Sequence, residues 1–335
     1  MFPSSLMAPT PEVIGIGTAI CDVVIFVPKL PAPEEKVEAL EMLPPAAAGV
    51  ALDAVTQTSR LGLKSGFIGK IGDDPNGQLF LRQVREDGID VRKVITVRGA
   101  RTAVSWVFVD KEGNRFHVMH PIGEKGYITP KEISEREEYL RSSKLVHTEA
   151  LQMPLAPMIK AGEIAQTHGK MVSFDLDINP RFIYKGGYGT EKDLRRMIEL
   201  STLFKPCKDS ISGLTDEKDM RKAAEHLLEY GCKVVAITLG KDGCAVAYRR
   251  NGKISFIAPA FINEKTIDTT GAGDSFVGAF IYGLIKGWEV KKIATFANAC
   301  ASVKTTKVGA RNMPTLDEVK SFLGRGTVNW EHLLL

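Results

Sequence analysis

Residues 268–280 read DTTGAGDSFVGAF. Two aspartates, Asp268 and Asp274, flank a turn whose middle, Gly271-Ala272-Gly273, carries almost no side chain, and an apolar run follows at once. The order loop, small residues, carboxylate, apolar run predicts a helix that starts inside the motif. The first N–H groups of a helix have no intrahelical acceptor and carry partial positive charge. Gly-Ala-Gly lets an anion approach them closely, so the loop is suited to a multiply charged oxyanion such as a phosphoryl group in transfer. Asp274 in the first turn is then placed to accept a proton from an attacking hydroxyl. The same residues also fit a plain tight turn with Asp274 as a cap.

Outward from this stretch, the chain alternates strand and helix patterns. VIGIGTAICDVVIFV at 13–27 reads as a buried strand, a glycine-marked break and a second apolar run. GVALDAVTQTSRL at 49–61 has helical spacing. KLVHTEA, MVSFDLD, STLFKP, VVAITLG and AVAYRR read as strands separated by helical stretches such as DMRKAAEHLLEYG. This alternation predicts an α/β domain with a doubly wound, mostly parallel sheet flanked by helices, over 12–325. TAVSWVFVD and RFHVMH around KEGN read as a β-hairpin. Two insertions, 28–46 and 98–122, are expected to form a small β lid able to close over a ligand. Residues 1–11 are expected to be a loose arm.

The composition excludes several classes. The 335 residues are 44% hydrophobic and 25% charged, with a dispersed formal net charge of +4. That gives no footprint for nucleic acid, though it suits a protein that handles phosphates. Cys21, Cys207, Cys232, Cys244 and Cys300 are widely spaced, without a CxxC pair or zinc-ligand spacing, and read as free thiols of a reducing compartment. The start has no signal-peptide pattern and no apolar run reaches a membrane span, so a cytoplasmic location is expected.

DTTGAGDSFVGAF resembles the C-terminal signature of the ribokinase-like (PfkB) carbohydrate kinases. VIGIGTAICD resembles the family's first strand, RLGLKSGFIGKIGDDPNG its N-terminal signature, TLGKDG its nucleotide segment, and FANACASVKTTKVGA its closing stretch. The likeness spans about residues 12–325. It implies a ribokinase-like fold and an ATP-dependent sugar kinase, with Mg²⁺. Asp274 is the implied general base, and Gly271, Ala272 and Gly273 the implied anion hole. Asp22, Gly49 and Asp53 would contact the sugar, and Thr238, Gly240, Gly243 and Asn298 the nucleotide; Asn298 reads equally as a helix-packing residue. Asp268, Thr270 and Gly309 match a potassium-type cation site. A homodimer through the lid is also implied.

The chain departs from the family at several of these places. Asp53 stands where an amide is usual, which would disfavour anionic substrates and favour a neutral or amine-bearing polyol. Cys207 and Ser210 replace the Asn and Glu of an Asn-x-x-Glu segment that orients Mg²⁺, with Asp209 adjacent. Met313 replaces a serine at the cation site. SFDLDINPR, read from Asp175, gives Asp177 and Asn179 but only part of a D-x-N-x-R motif. Other readings stay open. A nucleoside kinase would use Trp106, Phe108 and Phe116 against a base, and a sugar-binding homologue would have lost catalysis. A dinucleotide oxidoreductase is disfavoured, because GIGTAICD lacks the third glycine of that fingerprint.

Overall fold

The structure, a computed structural model, describes residues 10–112, 114–119, 126–151 and 153–324. Fifteen strands in these residues fall into three sheets. The largest contains β1 (Val13–Ile16), β5 (Ser65–Ile68), β10 (Leu145–Glu149), β11 (Met171–Leu176), β12 (Leu203–Pro206), β13 (Val234–Thr238), β14 (Cys244–Arg249) and β15 (Lys253–Ala258). Their spatial order is β15-β14-β13-β12-β11-β10-β1-β5. From β5 to β13 every pairing is parallel, with Val13 opposite both Leu145 and Ser65.

Buried on both faces, these strands read as continuous apolar runs rather than alternating ones. Successive residues nevertheless serve different cores. Val13, Leu203 and Val234 pack on one side with Phe276 and Phe280. Ile14, Phe204 and Val235 pack on the other with Met158, Leu194 and Leu227. Burying a side chain of Phe or Leu size stabilises by about 2–3 kcal/mol, so both helical layers are held by many such contributions. The doubly wound expectation is met here.

One edge differs from the expected alternation. VVAIT and AVAYR are not joined by a helix but by the short 3₁₀ turn Gly240–Asp242, and they pair antiparallel. The connection is too short for a parallel crossover, which needs a dozen or more residues. Gly243 has φ of 92°, and a Cβ there would lie 2.0 Å from the Ala258 carbonyl oxygen, so no other residue fits the turn.

The second sheet contains β2 (Ile20–Phe26), β3 (Glu41–Met42), β4 (Ala46–Ala48), β8 (Ala103–Val109) and β9 (Arg115–Met119). β8 and β9 form the expected hairpin, and β2 runs parallel to β8. Of the segment 34–43, only Glu41–Met42 is a strand, at the sheet edge. β2 lies before the expected first insertion, so the sheet begins at Ile20 rather than residue 28. Residues 120–122 of the second insertion lie outside the described residues. β6 (Lys70–Gly72) and β7 (Ile95–Val97) form a separate parallel pair. Residues 1–9 of the expected arm also lie outside the described residues, whereas Pro11 is already buried against the body.

The helix expected to start inside the motif is Ala272–Ile285, and Val290–Lys304 and Leu316–Gly324 follow it. Ala272–Ile285 packs against Val50–Arg60 so closely that a Cβ on Gly278 would sit 2.4 Å from the Ala54 carbonyl oxygen. Ser275 Oγ donates to Gln57 Oε1 at 2.7 Å, and Gln57 Nε2 donates to the Pro314 carbonyl at 3.0 Å. Ser275 and Gly278 of DSFVGAF therefore fix one helix on the other. Among the described residues no helix is long and apolar enough to cross a membrane.

Candidate active site

The carboxyl ends of the parallel strands converge on the start of helix Ala272–Ile285, where open α/β sheets place their ligands. Gly271 precedes the helix with φ of 79°. A Cβ there would fall 2.4 Å from the Ala310 carbonyl oxygen, so glycine is required. No side chain caps this helix. Ala272 N–H turns to the Thr269 carbonyl at 3.2 Å, while the Gly273 N–H that follows has no backbone acceptor among the described residues and is left for a ligand.

Asp274 follows in the first turn and is partly exposed. Burial of its carboxyl, with Asp53, Asp177 and Asp175 facing it, pushes its pKa well above the ordinary range, against the pull of Lys205. A carboxylate with a raised pKa binds a proton more tightly, which is what a general base requires.

Asp53 comes from the facing helix, Val50–Arg60, and is 4% exposed. Its Oδ1 has no partner among the described residues, and burial raises its pKa well above the usual value. Gly49, ahead of this helix, has φ of 146°, and a Cβ on it would meet the Thr18 carbonyl oxygen at 2.0 Å. Asp22 reaches the same region from β2. Burial pushes it up to about 6, while Ser105, its register partner on β8, hydrogen-bonds to it and pulls the other way. Asp22 and Asp53 are within electrostatic reach of each other.

Two groups that the sequence reading did not single out complete this region. Glu149, at the end of β10, is fully buried; its Oε1 accepts from Thr18 N–H at 2.7 Å, and its Oε2 has no hydrogen-bond partner among the described residues. Burial pushes it up to about 7. Lys205, on β12, is also buried, and its ammonium donates to Asp175 at 3.0 and 3.2 Å and lies 3.6 Å from Asp177. Burial works against this ammonium, but Asp175, Asp177 and Asp274 override it and keep the lysine charged. Its Nζ lies 3.3 Å from where a Cβ on Gly273 would be, directly beneath the anion loop. The signal was present in both cases: a charged residue inside or closing a run that otherwise reads as a buried strand.

Thr238 ends β13, beside the Gly240–Asp242 turn. A Cβ on Gly240 would meet nothing within 4 Å, so this turn opens to solvent. Asn298 is buried, and its amide nitrogen donates to the Ala258 and Pro259 carbonyls at 3.0 and 2.9 Å. Those two bonds tie it to the end of β15. Cys207 Sγ and Ser210 Oγ pair at 3.0 Å, and Ser210 also donates to the Leu176 carbonyl, so neither replaces an acid or amide. Asn179 caps helix Pro180–Lys185 and donates to Asp209 O and Ser212 Oγ. Among the described residues no group of three or more acidic, His or Cys side chains could hold a metal ion.

Trp106, Phe108 and Phe116 do not face Asp22. Asp22 and Ser105 share one face of the small sheet, whereas Val23, Trp106, Phe108, Phe116 and Val118 share the other. Phe116 is 56% exposed there, and Met42 64%.

Residues 10–316 match the model of the pfkB family carbohydrate kinases. This chain belongs to the pfkB carbohydrate kinase family. It is similar to a 5-dehydro-2-deoxygluconokinase of Geobacillus thermodenitrificans, at 30% identity over 79% of this chain and 80% of that one. An uncharacterized sugar kinase of Archaeoglobus fulgidus is 31% identical over 76% of this chain and 96% of its own. The fold is shared with a putative ribokinase II from Escherichia coli, solved in complex with ATP and Mg²⁺, with a TM-score of 0.81. That likeness covers 94% of this chain and 100% of that one at 23% identity. Membership makes the chain a carbohydrate kinase, and in its structure Asp53 lies within electrostatic reach of Asp274 on one side and of Asp22 and Glu149 on the other.

Proposed function

We propose that this kinase transfers the γ-phosphoryl group of MgATP to a hydroxyl of a sugar or sugar-like polyol. The observation that carries this reading is the uncapped helix start at Gly271–Gly273 with a basic carboxylate, Asp274, one residue on. Asp274 takes the hydroxyl proton as the sugar oxygen bonds to phosphorus and the bond to the ADP oxygen breaks. The Gly271 and Gly273 N–H groups, joined by Ala272 N–H once it leaves the Thr269 carbonyl, stabilise the charge on the transferring group, and phosphoryl transfer asks mainly for such positioning and electrostatics. Thr238, Gly240 and Gly243 would line the nucleotide, and Mg²⁺ would arrive on it. Asp22, Asp53 and Glu149 present carboxyl oxygens, each able to accept from two hydroxyls.

This acid-rich pocket supports a neutral or amine-bearing polyol over a sugar acid. The placement of Trp106, Phe108 and Phe116 on the opposite face speaks against a nucleoside as substrate. That same exposed apolar face supports pairing of two copies through the small sheet, which we propose acts as a lid. Free thiols at Cys21, Cys207, Cys232, Cys244 and Cys300 support a cytoplasmic location. An ATP-consumption screen across neutral sugars, polyols, amino sugars, sugar acids and nucleosides tests the assignment. Turnover confined to nucleosides overturns the substrate class, and preference for a sugar acid overturns the charge argument.

A further inference from the structure

The resemblance supplies a monovalent cation at Asp268, Thr270 and Gly309, and the residues present do not fit one. Both carboxylate oxygens of Asp268 are already engaged. Oδ1 accepts from Thr270 N–H at 2.9 Å, Thr270 Oγ1 at 2.6 Å and Arg115 at 2.9 Å. Oδ2 accepts from Gly309 N–H at 2.8 Å. Met313 is buried and offers only a thioether, a poor ligand for a hard cation.

A positive charge of the protein's own stands within electrostatic reach of Asp268. Lys304, the last residue of helix Val290–Lys304, has no exposed surface. Its ammonium donates to the Lys307 carbonyl at 3.1 Å, inside the turn that leads to Gly309. Burial pulls Lys304 below its usual value, and Asp268, Asp53 and Asp274 draw it back toward the charged form. A lysine in the apolar run FANACASVK is costly unless its charge is used.

We infer that the Lys304 ammonium is a tethered replacement for an exchangeable monovalent cation beside the anion loop, so that this kinase binds MgATP without potassium. An alkali ion and an ammonium carry the same charge and both seek carbonyl oxygens. The tethered one, unlike a free ion, is present at any salt composition. It places a fixed positive charge near Asp268 and Asp274 without occupying Asp268. Lys304 is a positioning residue on this account, since it acts on the loop rather than on the substrate.

The inference rests on the nucleotide-site reading above, and the test separates the two. MgATP affinity of the full chain is measured by calorimetry in potassium chloride and in tetramethylammonium chloride at equal ionic strength, alongside thermal stability without nucleotide. The parent is expected to bind alike in both. Lys304→Ala, and the length-preserving Lys304→Met, are expected to bind about tenfold or more weakly in tetramethylammonium, a loss of about 1.4 kcal/mol. Potassium should recover most of that for Lys304→Ala and raise its melting temperature. A parent whose affinity rises about tenfold with potassium overturns the inference, and needs no variant to fold. Lys304→Ala equally weak in both salts, or either variant equal to the parent in tetramethylammonium, overturns it too. No MgATP binding by the parent in either salt overturns the nucleotide reading along with it.

Discussion

The two aspartates of DTTGAGD sit six residues apart on the same loop and live in opposite environments. Asp268 accepts from two backbone N–H groups, a hydroxyl and a guanidinium, and although burial opposes it, those donors hold its pKa below the ordinary range. Asp274 faces other carboxyls in a buried setting, which raises its pKa. A carboxylate with full hydrogen-bond satisfaction is a structural tie. One starved of donors is held ready to take a proton. On the proposed reading, the motif separates fixing the loop from doing the chemistry.

The sharpest way to break this contrast is Asp274→Asn. Turnover should fall by about 10²–10⁴-fold, the usual contribution of a positioned base, with MgATP binding retained in calorimetry. Comparable turnover would remove the assigned role. Next is the charge beneath the loop. Lys205→Met alone leaves Asp175 buried and unpaired, and should cost about 3–5 kcal/mol in urea denaturation. Adding Asp175→Asn should return most of it, and a double variant no better than the single would show that Asp175 does not depend on the lysine.

The raised carboxyls also predict a pH slope. Glu149 titrates near 7 in the fold and in the ordinary range when unfolded. Between roughly pH 4.5 and 7 the folded state therefore holds the extra proton, and stability falls as pH rises, by about 3 kcal/mol in all for this group. Melting temperature followed across that window should decline, and Glu149→Gln should flatten the curve; an unchanged slope would assign the titration elsewhere. The smallest effect belongs to Asp268. Arg115 is partly exposed and one of several donors, so Arg115→Ala should change stability by less than about 1 kcal/mol. A larger loss would mean that Asp268 depends on the small sheet rather than on its own turn.

Much of this was legible before the structure. The apolar run after GAGD and the glycine-marked break after VIGIG are local signals, set by backbone sterics and by burial. The parallel sheet followed from alternation of elements. Other features are products of tertiary placement. The antiparallel run of β14 was hidden because VVAITLG and AVAYRR look like any buried strands; only the short link with Gly240 and Gly243 gave it away. Lys205 and Lys304 were overlooked because a lone lysine in an apolar run reads as solvated or snorkelling. Their partners, Asp175 and Asp268, come from other parts of the chain. The two carbonyl partners of Asn298, on 258 and 259, likewise come from another part of the chain.

The hydrogen bonds that Gln57 accepts from Ser275 and donates to Pro314 join the first fifth of the chain to its final stretch. Gly271 likewise packs against Ala310, which is made after it. A polypeptide emerging from the ribosome would therefore have its scaffold strands in hand well before its phosphate cradle. Chemical competence would arrive only with the closing residues, so an unfinished copy would have no assembled cradle in which to spend nucleotide.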